Sequence, residues 1–340
     1  MKYKFFIGAD IAKDTIQLAV KEGGQLLLQQ QVENTKPGIR AFLQKIKAEF
    51  KAGGKNTLFC LEATGYYGKL FTGCLKSSKA VVWEENALQI KRSLGMQRGK
   101  SDKLDAERIA GYALLFQDNA RPLQAKRKEI LRLHLLNRLR QRLQRALIAF
   151  ELPLKEYDGN LPKTLKNEVL WHQRESYQAL KADLVKTEET MRAIIRDDSR
   201  LFHLFQLITS VPHVGEVLAR ELIIHTNEFL SFSAVKPFAC YCGIAPFEHS
   251  SGTSLKGKAR VSHFANKQMK TALFYPALGA IRRGCELHDY YKRKVAEGKP
   301  KLSVLNAVKN KLLQRVFCCV REDRPYVRSP FGKNHPLATA

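Results

Sequence analysis

An α/β domain with a mixed sheet, then a long coiled-coil helical hairpin, then a mainly helical C-terminal domain is the fold class that the sequence predicts. Three observations carry it. Residues 3–32 alternate as strands and are followed by strands and helices in turn. From about residue 125 the character changes to long basic stretches with apolar residues stepping by three and four. After Pro162 and a second such stretch, short helical segments gather to the end of the chain.

The elements follow in order. "YKFFIGAD" is an apolar and aromatic strand, "TIQLAVKE" alternates, and "QLLLQQQVEN" follows the Gly23-Gly24 turn, which together predict a β-meander. In "KPGIRAFLQKIKAEF", Ile39, Phe42, Leu43, Ile46 and Phe50 recur at helical spacing. "NTLFCLEAT" is the next strand, a helix runs through Leu70 and Leu75, and "AVVWEE" is a buried strand. "NALQIKRSLG" is a short helix, and Asp102 to about Phe116 is another, carrying Leu104, Ile109, Tyr112 and Ala113. The linker "NARPLQ" ends the first domain, residues 1–120.

Residues 121–198 form the hairpin. Its first helix, 125–151, has a seam of Leu136, Leu139, Leu143, Ala146 and Phe150 and is otherwise dense in Arg and Lys. Pro153, Gly159 and Pro162 break it. The second helix places Leu170, Gln173, Tyr177, Leu180, Leu184, Thr187, Met191 and Ile194 in heptad steps, a seam that folds back on the first helix or joins two protomers. Residues 199–325 form the C-terminal domain. Its opening, "LFQLITSVPHVGEVLARELIIHT", reads either as a helix-hairpin-helix that holds a phosphate or as an ordinary αα-turn. His213 stands where the former usually has glycine. Helices are expected over 229–242, 265–284 and 300–321, and the tail, 326–340, is expected to be poorly ordered.

The chain of 340 residues has 58 Lys and Arg against 32 Asp and Glu, a net charge of +26. A protein that basic is expected to have a polyanionic partner, and nucleic acid leads. No apolar run is long enough to cross a bilayer, and "MKYKFFIGADIAKD" reaches a charge too soon for a signal peptide, so a membrane partner is not expected. The seven cysteines have no zinc-ribbon spacing and mostly apolar neighbours, as reduced core residues of a cytoplasmic protein would. Arg138, Arg142 and Arg145 crowd the basic helix and are expected to meet nucleic-acid backbone.

Close carboxylates in such a basic chain are conspicuous. Asp102 and Asp105 share a helix face at i and i+3, in a run that also holds Lys100, Lys103 and Arg108. Asp10 ends the first strand and Glu62 the fourth. In a ribonuclease-H-like sheet those strands are neighbours, so the four acids converge at one sheet edge. Bare convergence is unfavourable, and divalent cations reverse its sign. Oxygen-only donors suit Mg²⁺, with Mn²⁺ able to replace it, while Lys100 and Lys103 would hold phosphate. Each acid taken alone is an ordinary turn or cap residue.

"GADIAKD", "LEATGYYG" and "KSDKLDAERIA" resemble the three acidic motifs of the DEDD transposases of insertion sequences, relatives of the Piv and MooV DNA invertases. "FACYCGIAPFEHSSGTSLKGKARVSHFANKQMKTALFYPAL" is similar to their second domain. The resemblance implies a RuvC-like N-terminal domain with Asp10, Glu62, Asp102 and Asp105 as catalytic metal ligands. It also implies a nucleophilic serine just before a glycine, Ser251 before Gly252, forming a phosphoserine with DNA. Lys256, Lys258 and Arg260 would then supply charge beside it. Several members are bridge-RNA-guided recombinases, so donor and target DNA, a noncoding bridge RNA and a homo-oligomer (dimer or tetramer) are the implied partners. The implied setting is a bacterial or archaeal cytoplasm, at the nucleoid.

Read without the resemblance, the Ser-Ser-Gly-Thr-Ser run is a solvated turn, and Ser250 and Ser254 compete with Ser251. His249 and His263 could move protons or only bind charge, and Thr64, Tyr66 and Tyr67 could serve the site or the core. Two rival functions stand beside recombination. One is a Holliday-junction endonuclease using the carboxylates alone, and the other a non-catalytic binding protein. A Piv-like invertase is a close variant.

Overall fold

A computed structural model describes residues 2–63, 65–95, 99, 101–251, 255–261 and 265–327, and the chain divides into two compact units, 1–125 and 126–340. Unit 1 is built on a five-stranded sheet of β1 (Phe5–Ile11), β2 (Thr15–Glu22), β3 (Gln25–Glu33), β4 (Thr57–Glu62) and β5 (Val81–Glu85). The strand order is β3-β2-β1-β4-β5. β1 pairs antiparallel with β2 and parallel with β4, and β5 is parallel to β4. This is the ribonuclease-H-like arrangement, with an antiparallel meander continued by two parallel crossovers.

Strand alternation sorts the sheet into two faces. Phe5, Ile7, Ala9, Phe59 and Leu61 pack with α1 (Lys36–Phe50) and α2 (Gly68–Ser77) through Phe42, Ile46, Phe71 and Leu75. Thr35 caps α1 by accepting from the Gly38 amide at 3.3 Å. Phe6, Leu58, Cys60 and Trp83 pack on the other face, against Ile90 of α3 (Ala87–Ser93) and Ile109, Tyr112 and Ala113 of α4 (Asp102–Leu115).

Gly8 explains how closely α4 lies on the sheet. A Cβ there would sit 2.1 Å from the Ala106 carbonyl oxygen and 2.3 Å from the Ala110 nitrogen. Small residues, Ala19, Ala106 and Ala110, complete the contact. Gly8→Ala should therefore cost about 3 kcal/mol or more, because both obstructing atoms are helix backbone. Chemical denaturation of the variant checks this, and wild-type stability would refute the close contact.

Unit 2 opens with an antiparallel pair of long helices, α5 (Lys128–Tyr157) and α6 (Lys163–Asp197). Arg140 meets Glu188 at 2.6 Å, and Tyr177 meets Glu151 at 2.6 Å. The α6 seam is the expected one from Gln173 to Ile194, although Leu170 is exposed. The α5 seam is rotated: Ile130, Leu133, Asn137, Arg140, Leu143 and Leu147 are buried, and Leu136 and Leu139 are only partly so. Arg140 and Asn137 turn inward because carboxylates face them, the half-buried Glu188 and the buried Glu221. Pro153 does not break α5. It falls within the last five residues of the helix, so the one backbone bond its missing N–H forgoes affects only the final turn.

The rest of the unit is α7 (Ser199–Thr209), α8 (Glu216–Thr226), α9 (Val235–Tyr241), β6 (Pro246–Ser251), β7 (Leu255–Val261), α10 (Lys267–Ala272), α11 (Phe274–Ala280), α12 (Glu286–Ala296) and α13 (Lys301–Arg321). The antiparallel β6–β7 ribbon and α12 were not expected from the sequence, and the expected 265–284 helix is divided at Leu273. One core joins Ile130 and Leu133 of α5, Met191 and Ile194 of α6, and α7, α8, α9 and α13. His213, in the α7–α8 turn, has φ 70°, the left-handed conformation a glycine would supply, so the hairpin forms without glycine there. Residues 328–340, most of the expected tail, lie outside the described residues.

The base of the helical hairpin is locked by Arg127. Its guanidinium donates to Asp198 at 2.8 and 3.1 Å and to Glu228 at 2.7 and 3.0 Å. The Glu228 side chain is 1% exposed, in a run of three left-handed residues, Asn227, Glu228 and Phe229. Arg127→Ala should lower the stability of unit 2 by about 3 kcal/mol, since Arg200 alone then faces the buried Glu228. Hydrogen bonds from Arg127 hold the Asp198 carboxyl below its ordinary value. That stabilisation is present above the unfolded-state pKa, near 3.8, and is lost as pH falls through the lower folded value. Wild type should lose this increment in acid and Arg127→Ala should not, which urea melts at pH 7 and pH 3 will compare.

Candidate active site

Alternation carries Asp10, Glu62 and Glu85 to the same face. Asp10 follows Phe6 and Gly8, Glu62 follows Leu58 and Cys60, and Glu85 follows Trp83, all on the α4 side. Each stands at or next to the C-terminal end of its strand. β1 and β4 are neighbours, with Ala9 beside Leu61, and Glu62 is in register with Glu85. Gly8 seats Ala106 on β1, so the first turn of α4 lies at this same end. That turn holds Asp102 and Asp105. Ser101 is the cap, its hydroxyl accepting from the Leu104 amide at 3.3 Å. Asp102, as the first residue of the helix, is exposed and is not needed for capping.

The electrostatics register the convergence. Burial holds the half-buried Glu62 carboxyl above its ordinary value, and the charges of Asp10 and Asp105 push it further in the same direction. Arg108 donates to Asp105 at 2.8 Å and to the Gly99 carbonyl at 3.0 Å. Among the described residues no group of three His, Cys, Asp or Glu forms a ready-made metal cage. The donor set nevertheless fits a hard divalent cation: it is oxygen-only, and the Glu62 charge lacks compensation. The buried Gln17 offers an N–H donor beside this set, which suits a water or a phosphate oxygen rather than the cation. It lies across from Asp10 in the β1–β2 register, and its Nε2 has no partner among the described residues.

Two residues here escape sequence reasoning. Glu85 accepts from the Tyr112 hydroxyl at 3.5 Å and from the Asn86 amide at 2.7 Å. Gln17 reads in sequence as an ordinary polar strand residue. Only pairing with β4 and β1 brings either beside the acids, and no local signal marks them.

The basic residues are distributed as follows. Lys103 is exposed on α4, and Lys100 lies outside the described residues. Arg138, Arg142 and Arg145 are exposed at i, i+4 and i+7, one stripe of α5. Arg140, between them in sequence, is turned in to Glu188 and is not part of that surface. Ser251 ends β6 in register with Leu255, and Ser250 is in register with Lys256. Lys256, Lys258 and Arg260 occupy alternate positions of β7. The side chains of Ser251 and of these three lie outside the description, and Gly252, Ser254, Thr64 and His263 lie outside the described residues. Tyr66 and Tyr67 are half-exposed, which disfavours a core role.

The transposase family labelled DEDD, IS110 matches residues 7–156, and the one described as transposase, IS116/IS110/IS902 family, matches residues 205–292. The chain belongs to the IS110 transposase family. The first match contains all four acids and the second contains Ser251. The transposase is 27% identical over 328 residues to a pilin gene-inverting protein of Moraxella bovis, covering 95% of this chain and 98% of that one. It is 29% identical over 158 residues to an insertion element IS110 protein of Streptomyces coelicolor, covering 45% and 39%. A RuvC structure from Thermus thermophilus aligns over 35% of the transposase and 99% of its own chain, at 15% identity and a TM-score of 0.28. The strand order, rather than that overlay, defines the fold. The transposase is a DNA-recombining enzyme. Among its described residues no helix is long and apolar enough to cross a membrane.

Proposed function

We propose that the transposase cuts and rejoins the DNA of an insertion sequence with two sets of groups, the carboxylates Asp10, Glu62, Asp102 and Asp105 and the hydroxyl of Ser251. The observation that carries the reading is the Glu62 carboxyl, held up by burial and by its acidic neighbours Asp10, near the end of β1, and Asp105, in the first turn of α4. The carboxylates would hold Mg²⁺, or Mn²⁺ in its place, whose chemistry is to polarise phosphoryl oxygens and stabilise a leaving alkoxide. Ser251 Oγ forms a bond to phosphorus as the phosphorus–oxygen bond to one deoxyribose breaks, and the serine proton ends on the departing hydroxyl. The phosphoserine conserves the bond, so the reverse attack by a new DNA hydroxyl rejoins strands without ATP. Gly252 admits the phosphate closely, and Lys256, Lys258, Arg260, Lys100 and Lys103 supply charge.

Arg138, Arg142 and Arg145 hold nucleic-acid backbone, of donor or target DNA or of an element-encoded bridge RNA. The active species is a homo-oligomer, dimer or tetramer, at the nucleoid of a bacterial or archaeal cytoplasm. Replacing all three arginines with Ala should weaken binding without changing sequence preference. It should also flatten the salt dependence by roughly one unit of slope per arginine. Fluorescence anisotropy across a salt series measures it, and an unchanged slope would remove α5 from the interface.

The test of the chemistry is a covalent protein–DNA adduct. Transposase, Mg²⁺ and a labelled duplex spanning an element junction, with any RNA that copurifies, should give an adduct that survives denaturation. DNA cut without an adduct would instead favour a RuvC-like junction endonuclease. Inversion is the second reading, favoured because the Moraxella bovis relative named for it aligns over nearly the whole chain. Substrates with the two sites in direct and inverted orientation separate it from transposition.

A further inference from the structure

Unit 2 contains a row of polar side chains that the proposed chemistry does not use. It begins at Glu221 in α8, whose side chain is 5% exposed, and His225 Nε2 lies 3.4 Å from Glu221 Oε2. His225 Nδ1 is 2.9 Å from the Tyr241 hydroxyl, and Asn266 Nδ2 donates to that hydroxyl at 2.6 Å. Gln268 donates to Glu221 at 2.8 Å, and Gln141 at 3.4 Å. A neutral imidazole satisfies the row in one direction. Asn266 donates to the Tyr241 oxygen, the Tyr241 hydroxyl donates to Nδ1, and Nε2–H donates to Glu221. Burial opposes the Glu221 charge, but hydrogen bonds from His225, Asn137 and Gln268 outweigh it, and the carboxyl is held below its ordinary value. Burial pushes the Tyr241 phenol up, which keeps it protonated.

The ends of this row are the two feet of the β6–β7 ribbon. Tyr241 closes α9, from which the chain runs through 242–245 into β6. Asn266 stands after β7 and caps α10, accepting from the Met269 amide at 3.0 Å. Its own amide donates to the Tyr241 carbonyl at 2.7 Å. Backbone and side chain thus tie the foot entering the ribbon to the foot leaving it, and His225 ties both to the buried face of α8. Ser251 stands at the far end of β6.

We propose that Glu221, His225, Tyr241 and Asn266 are positioning residues, a hydrogen-bonded clamp that fixes both feet of the β6–β7 ribbon on α8 and so sets where Ser251 meets the DNA phosphate. The proposal rests on the reading of Ser251 as the nucleophile. A carboxylate–imidazole–hydroxyl row also suggests Tyr241 itself as nucleophile. Its surroundings argue otherwise. The hydroxyl already lies 2.9 Å from His225 Nδ1 and accepts from Asn266, and the ring is stacked on Phe238 at 5.6 Å and packed against Phe232 at 5.4 Å.

Tyr241→Phe keeps the ring packing and removes both hydroxyl bonds. His225→Gln keeps an amide to face Glu221 and removes the acceptor for the hydroxyl. Both full-length variants should melt near wild type and bind the element-junction duplex with unchanged affinity. Deuterium uptake should rise in β6 and β7 while α8 and α13 stay protected. At saturating duplex, the single-turnover rate of adduct formation should fall on the order of 10- to 100-fold. Unchanged ribbon exchange and adduct rate in both variants would overturn the clamp. So would exchange rising throughout unit 2, or an adduct mapped to Tyr241. Ser251→Ala separates the two readings: it should leave ribbon exchange as in wild type, and an adduct persisting in it would defeat the serine and leave exchange to judge the clamp.

Discussion

Glu62→Gln should reduce strand cleavage on the order of 10³-fold or more and, in the same protein, raise the thermal midpoint measured without divalent cations. Both effects follow from one charge. Glu62 is half-buried at the end of β4, and burial, Asp10 and Asp105 all disfavour its ionised form. Above its raised folded pKa the ionised carboxylate costs stability, and a neutral amide of the same shape removes that cost. A cation repays the cost in wild type, so Mg²⁺ should raise the wild-type midpoint and leave that of Glu62→Gln almost unmoved. Asp10→Asn and Asp105→Asn should behave in the same sense, with Asp105 the weaker stabiliser because Arg108 already offsets it. Calorimetry with and without Mg²⁺, beside a cleavage assay, reads both halves. A Glu62→Gln protein that cleaves normally, or a wild-type midpoint indifferent to Mg²⁺, would dismantle the metal site.

The nearness of Asp10, Glu62 and Asp105 was legible because it depends on strand order and helical phase, which the sequence carries in its alternation and in the three-residue spacing of Asp102 and Asp105. The companions of these acids were not. Glu85 and Gln17 join the site through cross-strand register, and nothing local distinguishes them from solvent-facing residues. The rotation of α5 was hidden for the same reason. An Arg in a helix reads as surface, and only a facing carboxylate such as Glu188 makes Arg140 a core residue. The β6–β7 ribbon was missed because "EHSSGTSLKGKAR" lacks the apolar alternation by which a strand is recognised. A ribbon whose sequence is this polar has to be held by its ends. Such support comes from residues distant in sequence, in α8, α9 and α10.

Ser251→Ala should bind DNA and respond to Mg²⁺ as wild type does, yet give no covalent adduct and no joined product. A serine hydroxyl is a poor nucleophile at neutral pH and attacks only where its proton has a destination and the phosphoryl charge is neutralised. Ser251 is the last residue of β6, in register with Leu255 and one pair from Ser250 and Lys256, and Gly252 follows it in sequence. A phosphate can approach backbone there without meeting a Cβ at residue 252. Ser250 pairs with Lys256 and Ser251 with Leu255, one register step apart, and Ser250→Ala should retain activity. The discriminating measurement is peptide mass spectrometry of the wild-type adduct. Phosphodeoxyribose on Ser251 sustains the mechanism, and on Ser250 or Ser254 it reassigns the nucleophile. Normal recombination by Ser251→Ala, or Mg²⁺-dependent cutting by wild type with no adduct at any time point, would leave the carboxylates as the whole of the catalytic apparatus, acting by hydrolysis.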